Sequence, residues 1–106
     1  MWRFSASYDK GGKPCWWLYA SNGEMVAWAG ESFYSLSNAT RAAQEFKVGA
    51  ATARFEVYLD AGGRWRWRAL RSSDKVAASG QHFASKYDAE RAAKNVQANA
   101  GGATGP

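Results

Sequence analysis

The feature that most constrains how this chain folds is a repeat within its own sequence. The segment Phe4-Ser-Ala-Ser-Tyr-Asp-Lys-Gly-Gly12 returns 51 positions later as Phe55-Glu-Val-Tyr-Leu-Asp-Ala-Gly-Gly63. One residue is lost near Glu24, and beyond it the offset is 50, so that Arg41-Ala-Ala43 returns as Arg91-Ala-Ala93. A repeat of roughly fifty residues is typical of one supersecondary unit used more than once. Two such units are too few for a solenoid, so we expect a pseudo-twofold pair that shares one core.

Length and composition set the expected number of domains. The chain has 106 residues and a mass of 11.6 kDa, with 46% hydrophobic and 22% charged residues. These values are typical of one globular domain and exclude a disordered chain. We therefore predict a single compact domain over residues 1–106, with repeat one at about 3–50 and repeat two at about 54–99. The Gly-rich segment 100–106 is predicted to be a flexible tail.

Each repeat contains the same predicted elements, three strands followed by a helix. Asp-x-Gly-Gly and Asn22-Gly23 are hairpin signals, and Ser73-Asp74 is predicted to be the turn that corresponds to Asn22-Gly23. Ser35 and Ser85 precede apolar residues spaced three and four apart, which predicts a helix N-cap at each serine. Strands are predicted at Phe4–Asp9, Cys15–Ser21, Val26–Gly30, Phe55–Asp60, Trp65–Ser72 and Val76–Gly80. The predicted fold class is α+β, built from tandem β-β-β-α repeats.

These motifs resemble a known family. Phe55-x-x-Tyr-x-Asp-x-Gly-Gly63, the following Arg64-Trp-Arg-Trp-Arg-Ala-Leu70, the Asn22-Gly23 turn and a capped Ala-rich helix are similar to the YegP-like proteins. That family is bacterial and archaeal, has no known function and is built from repeats of this length; the resemblance covers about residues 3–99. It implies one antiparallel sheet with strand exchange between the units and two helices packed on one face. Two segments depart from the pattern, Pro14-Cys-Trp-Trp17 and Ser73-Asp74.

Alternation along the predicted strands decides which side chains face the helices. Arginine cannot enter a core cheaply without a partner, so Trp65 and Trp67 are predicted to point inward and the alternating arginines outward. By alignment, Trp16 and Leu18 point inward, whereas Cys15 points outward. The uncovered face is then predicted to carry Trp17, Tyr19, Tyr58, Arg64, Arg66 and Arg68.

Aromatic and arginine side chains on an open sheet face are one way of holding nucleic acid. Bases stack on aromatic rings, and arginine contacts phosphate or a guanine edge. The formal net charge of +5 is uneven, because residues 1–50 have five basic and four acidic residues and residues 51–106 have nine and five. A phosphate contact is therefore expected on the second repeat, although this excess of charge also serves solubility.

Other interpretations of the same residues stay open. The arginines suit a solvated strand face on which they pair with Glu56 and Asp60 across the hairpin. Neighbouring loops, a protein partner or a second copy of the chain could instead cover Trp17 and Tyr19. The sequence thus predicts a small binding module that contacts nucleic acid, with protein–protein interaction or self-association through the same face as the alternative.

The sequence offers little for catalysis. The only cysteine and the only histidine, Cys15 and His82, fall in different repeats, so neither a nucleophile–base pair nor a metal site is predicted. The paired glycines lack the lysine and helix of a phosphate loop, so no cofactor is expected. A single cysteine is typical of a reducing compartment. With no apolar run of membrane-spanning or signal-peptide length, we expect a cytoplasmic, non-enzymatic protein that makes no membrane contact.

Overall fold

Six strands form one antiparallel sheet in the computed structural model, which describes residues 1–106. The strands are β1 (Arg3–Tyr8), β2 (Pro14–Tyr19), β3 (Met25–Trp28), β4 (Arg54–Leu59), β5 (Trp65–Arg71) and β6 (Asp74–Ser79). The helices are α1 (Leu36–Gly49) and α2 (Lys86–Asn99), and a short 3-10 turn follows at Ala100–Gly102. The α+β class with a single antiparallel sheet and two helices is therefore confirmed.

The order of the strands is β1-β2-β3-β6-β5-β4, so each set of three consecutive strands stays together. The two sets meet where β3 pairs with β6, with Ala27 opposite Ser79 and Trp28 opposite Ala78. Helix α1 packs mainly on β1 and β2, and α2 mainly on β4 and β5. The strand exchange implied by the family resemblance is therefore not found. The strands within each set are joined by short turns, which favour pairing between sequence neighbours.

Aspartate side chains organise the first turn of each half. The Oδ1 atom of Asp9 accepts hydrogen bonds from the backbone N–H groups of Gly11 and Lys13, each at 2.9 Å. Asp60 accepts the same pair of bonds from Gly62 and Arg64. Both aspartates are thus turn residues that bond to their own backbone, in agreement with the Asp-x-Gly-Gly hairpin signals.

The second turns of the two halves differ from each other. Arg71 pairs directly with Asp74, so the turn consists of Ser72 and Ser73 rather than the predicted Ser73-Asp74. Ser72 has a φ of +56°, an unusual value for a residue with a side chain. The counterpart in the first half is longer by one residue and places Gly23 at a φ of +85°, where glycine carries no steric penalty.

The core lies between the helices and one face of the sheet. Trp16 and Trp67 are fully buried there, as the alternation predicts. Phe46 of α1 stacks on Trp16, with ring centroids 5.4 Å apart and an interplanar angle of 20°, and it also reaches Phe55 at 6.4 Å. One aromatic side chain thus joins the cores of both halves, which form a single cluster.

Cys15 does not follow the predicted pattern of exposed and buried strand faces. It was expected to be exposed, but it is buried. The chain after β3 folds back over the start of β2, where the backbone N–H of Phe33 donates to the carbonyl of Pro14 at 2.8 Å. The Cys15 Sγ atom lies 3.6 Å from the carbonyl oxygen of Glu31 in that segment. Burial raises the pKa of the Cys15 thiol, which keeps it protonated and unreactive at neutral pH.

The predicted serines are the N-caps of both helices. The Oγ atom of Ser35 accepts a hydrogen bond from the Asn38 N–H, and Ser85 accepts one from the Asp88 N–H, each at 3.1 Å. Small buried residues line the helix faces that meet the sheet: Ala39, Ala43, Ala89 and Ala93. They let the helices approach a sheet that carries large tryptophans. Neither helix is long and apolar enough to span a membrane.

The C-terminal residues do not form the predicted free tail. Ala103 is buried, and the backbone of Thr104 bonds on both sides to the first strand. Phe4 N–H donates to the Thr104 carbonyl at 2.8 Å, and Thr104 N–H donates to the Trp2 carbonyl at 2.9 Å. Unpaired backbone groups at a sheet edge favour this kind of pairing. The Gly-rich composition of the segment gave no sign of it.

Candidate nucleic-acid interface

The sheet face opposite the helices, called the open face below, carries a line of side chains that crosses the sheet. The strand registers place Trp17 opposite Trp28, Trp28 opposite Ala78, and Ala78 opposite Arg68. Because directly opposed residues in a sheet share a face, these four side chains form one row, called the aromatic–arginine row below. The row joins an aromatic half to a cationic half, with the small Ala78 between them.

Both tryptophans of the row are partly exposed at the centre of the open face. Trp17 was predicted to lie here, but Trp28 was not. Strict alternation in β3 would have found it, because Ala27 is buried against the helices and its neighbour must point the other way. Two indole rings on adjacent strands offer a stacking surface for planar groups.

The arginines of β5 are held by carboxylates of β4 and of the β4–β5 turn. Arg68 Nε lies 3.0 Å from Glu56 Oε1, and Arg66 Nε lies 2.7 Å from Asp60 Oδ2. Their side chains remain 44% and 37% exposed. Arg54 also reaches Glu56 at 2.8 Å. The ion-paired arrangement that the sequence left open is therefore present, and it fixes two guanidinium groups in an accessible position.

Two tyrosines of the open face lie beneath arginines. The guanidinium carbon of Arg68 lies 4.7 Å from the ring centroid of Tyr58, and that of Arg3 lies 4.4 Å from Tyr19. Each is a cation–π contact. Tyr58 on β4 thus lies beside the cationic end of the row, whereas Tyr19 lies toward the β1 edge with Arg3, which was not among the predicted site residues.

Arg64 is drawn away from the other arginines. It precedes β5, and its Nη1 atom lies 2.6 Å from Nε2 of His82, in the segment between β6 and α2. Of the six predicted residues, Tyr58, Arg66 and Arg68 lie together on β4 and β5, at one side of the open face. Trp17 lies on the same face, three strands away from Arg68. Tyr19 and Arg64 lie outside this arrangement.

Asp60, in the β4–β5 turn, is a carboxylate of the open face whose pKa is shifted. The Arg66 guanidinium holds the pKa of the Asp60 carboxyl below its usual range, with help from the backbone N–H groups of Arg64 and Gly62. Asp60 is therefore ionised at neutral pH and stays paired with Arg66. Its negative charge orients the arginine but also competes with an anionic ligand for it.

Comparison with known proteins agrees with this fold. The sequence profile of DUF1508, a domain of unknown function, matches residues 9–56. The solution NMR structure of yegP, a protein of unknown function from E. coli, aligns with a TM-score of 0.80 and 20% identity, covering 97% of this chain and 89% of that one. No curated protein matches the sequence.

A second solved structure gives the same result. The UPF0339 protein from Shewanella oneidensis, also determined by solution NMR, aligns with a TM-score of 0.78 and 17% identity, covering 94% of this chain and 85% of that one. The profile match and the shared fold together confirm the resemblance to YegP-like proteins. These comparisons name no ligand, so function has to be argued from the open face itself.

Proposed function

We propose that this protein is a non-enzymatic binding module that holds single-stranded nucleic acid on its open face. In this proposal Trp17 and Trp28 stack on bases, and Arg66 and Arg68 contact the phosphates. Tyr58 supports Arg68 from below. Tyr19 with Arg3 and Arg64 with His82 form the outer parts of the same surface.

The observation that carries the proposal is the aromatic–arginine row. Stacking of a base on an aromatic side chain contributes about 1–3 kcal/mol and does not depend on base identity. Neighbouring strands lie about 5 Å apart, so Trp17 and Trp28 offer adjacent rings, and Arg68 lies two strands beyond Trp28. A flat face of this kind suits unstacked bases, whereas duplex readers insert an element into a groove.

The ion pairs of the arginines are compatible with phosphate binding. Arg66 and Arg68 each engage a carboxylate through Nε, and their Nη groups donate no hydrogen bond within the protein. Phosphate can therefore be bound without breaking either pair. The carboxylates hold the guanidinium groups in place, which lowers the conformational entropy lost on binding.

Fluorescence anisotropy with labelled single-stranded and duplex oligonucleotides tests the proposal. We expect binding of the single strand at low salt, with loss of affinity in Trp17→Ala/Trp28→Ala and in Arg66→Ala/Arg68→Ala. A matched control is Arg41→Ala/Arg91→Ala, which removes the same charge from exposed positions on the two helices. Equal weakening by this control, or no binding of the single strand at low salt, would refute the proposal.

The alternative is that the same face buries against a protein partner or a second copy of this chain. The partly exposed tryptophans of the row and the ion-paired arginines Arg66 and Arg68 favour it. Sedimentation velocity distinguishes the two, because self-association through this face would raise the mass with concentration. Trp17→Ala/Trp28→Ala would then abolish that rise.

The proposal also includes the organisation of the chain and its location in the cell. The two halves are repeats of one unit related by a pseudo-twofold axis, and residues 1–106 form a single domain. Agreement between the turns at Asp9 and Asp60, and between the caps at Ser35 and Ser85, supports this. A cytoplasmic location is supported by the free thiol of Cys15.

A further inference from the structure

A cavity on the helix side of the sheet is separate from the open face. It has a volume of about 190 Å³ and lies between the β2–β3 turn and α2. Apolar groups line much of it, among them Val26, Phe83 and Val96. Three residues with side-chain amides, Asn22, Gln81 and Asn95, also line it, so we call it the amide cavity.

A second cavity lies at corresponding positions, between α1 and the β5–β6 hairpin, and the two cavities are filled differently. That cavity is about 130 Å³ and is lined in part by Arg71 and Lys75. Arg71 Nη2 donates to the carbonyl of Glu45, and Lys75 Nζ donates to the carbonyl of Gly30, each at 3.0 Å. Two long cationic side chains thus occupy space that is open in the amide cavity.

The difference follows from a coordinated set of residue changes between the halves. Arg71 corresponds to Ala20, Lys75 to Met25, Glu31 to Gln81, Glu45 to Asn95, and Phe46 to Val96. Each cation is replaced by an uncharged side chain, each acid by a side-chain amide, and the large aromatic residue by a smaller aliphatic one. The amide cavity is therefore wider and, apart from Glu24, uncharged along its lining.

Hydrogen-bonding groups remain available in the amide cavity. Asn95 Oδ1 accepts from Asn99 Nδ2 at 2.9 Å, which leaves its own Nδ2 donor free. The side-chain amide of Gln81 makes no hydrogen bond within the protein. Glu24 is tied to the turn, where its backbone N–H donates to Asn22 Oδ1 at 3.0 Å. A free amide presents both donor and acceptor atoms in one plane.

We propose that the amide cavity binds a small, uncharged, planar molecule that carries a carboxamide or the similar edge of a nucleobase. The ring lies against Phe83, Val26 and Val96, and the amide edge pairs with Gln81 and Asn95. The cavity is smaller than the roughly 300–1,000 Å³ of sites for drug-sized ligands, so the ligand is a single ring system. Glu24 disfavours anions. This inference does not rest on the nucleic-acid proposal.

The test uses three isosteric probes that differ in charge: benzamide, benzoate and benzamidinium. Amide NMR spectra of the full chain are recorded with each probe. We expect benzamide to shift resonances of residues that line the amide cavity, with an affinity of about millimolar, and benzoate to cause no shift. Absence of benzamide shifts would overturn the inference, as would tighter binding of either charged probe.

Two variants and one control connect the signal to the cavity. Ala20 corresponds to Arg71 and Asn99 to Gly49, and in the second cavity Arg71 lies against Gly49. Ala20→Arg/Asn99→Gly copies that arrangement and should abolish benzamide binding. The control Arg71→Ala should not affect it. Gln81→Leu changes an exposed side chain and keeps its approximate size, so it leaves folding intact. It should weaken binding by up to about tenfold through loss of one hydrogen bond. Unchanged affinity in Gln81→Leu, or shifts confined to the open face, would contradict the assignment.

Discussion

The two halves of the molecule use the same backbone for different surfaces. At corresponding positions of the open face, the first half (residues 1–50) has Trp17 and Trp28, whereas the second half (residues 51–106) has Arg68 and Ala78. On the inward side, Phe4 and Trp16 recur as Phe55 and Trp67, whereas these outward residues differ. The fold depends on the first set, and the binding chemistry that we propose depends on the second.

The largest effect that we predict tests the shared inward pattern. Trp16→Ala and Trp67→Ala should each lower the free energy of unfolding by about 3–5 kcal/mol, because each empties a buried site. Trp16→Ala should cost about 1 kcal/mol more, since Trp16 also stacks on Phe46 and Trp67 has no such partner on α2. Urea unfolding curves measure both. Equal losses would mean that Phe46 contributes nothing beyond its own burial.

The corresponding glycines Gly30 and Gly80 give the next largest effect. A Cβ atom at Gly80 would clash with the carbonyl oxygen of Met25, a backbone atom that cannot move aside easily. We expect Gly80→Ala to destabilise the protein by about 2–3 kcal/mol. Gly30 has a φ of +80°, and Gly30→Ala should cost about 1 kcal/mol or more through backbone strain. Thermal unfolding compares them, and a neutral Gly80→Ala would show that β3 and β6 are not packed this closely.

The helix caps should respond alike in the two halves. Ser35→Ala and Ser85→Ala each remove one hydrogen bond to a helix N-terminus and should each cost about 1 kcal/mol. Ser35→Asp and Ser85→Asp, which can cap in the same way, serve as controls and should retain stability. A loss of stability at only one of the two serines would contradict the equivalence of the two helix caps.

The smallest effect concerns pH and only the second half. Because the pKa of Asp60 is lowered by Arg66 in the folded state, the pair stabilises the protein above the usual carboxyl pKa of about 4. That contribution is lost as the pH falls through the lowered value. Carboxyl NMR titration should show the pKa of Asp60 rising toward its usual value in Arg66→Ala. No change in its titration would contradict the ion pair.

The fold could largely be predicted from the sequence, because the repeat, the hairpin signals and the two serines act locally. The placement of Trp17, Arg66 and Arg68 on one face also followed from alternation alone. Cys15 could not be placed in this way, since its burial depends on a segment that folds back from beyond β3. The pairing of Arg64 with His82 likewise requires two segments that are distant in sequence.

The amide cavity was also beyond sequence analysis. Its lining combines the β2–β3 turn of the first half with α2 of the second, so it exists only once β3 pairs with β6. The substitutions that open it are visible in the aligned repeats, but nothing local shows that Ala20 and Asn95 face the same space.

The salt dependence of single-strand binding tests the central claim most directly. For single strands the logarithm of the binding constant falls with the logarithm of salt concentration by about 0.7 for each phosphate contact. We predict that Arg66→Ala/Arg68→Ala makes this slope shallower by about 1.4, since two contacts are lost. Trp17→Ala/Trp28→Ala should lower affinity at every salt concentration and leave the slope unchanged. The same slope in wild type and both variants would contradict the division between a stacking half and a phosphate-binding half.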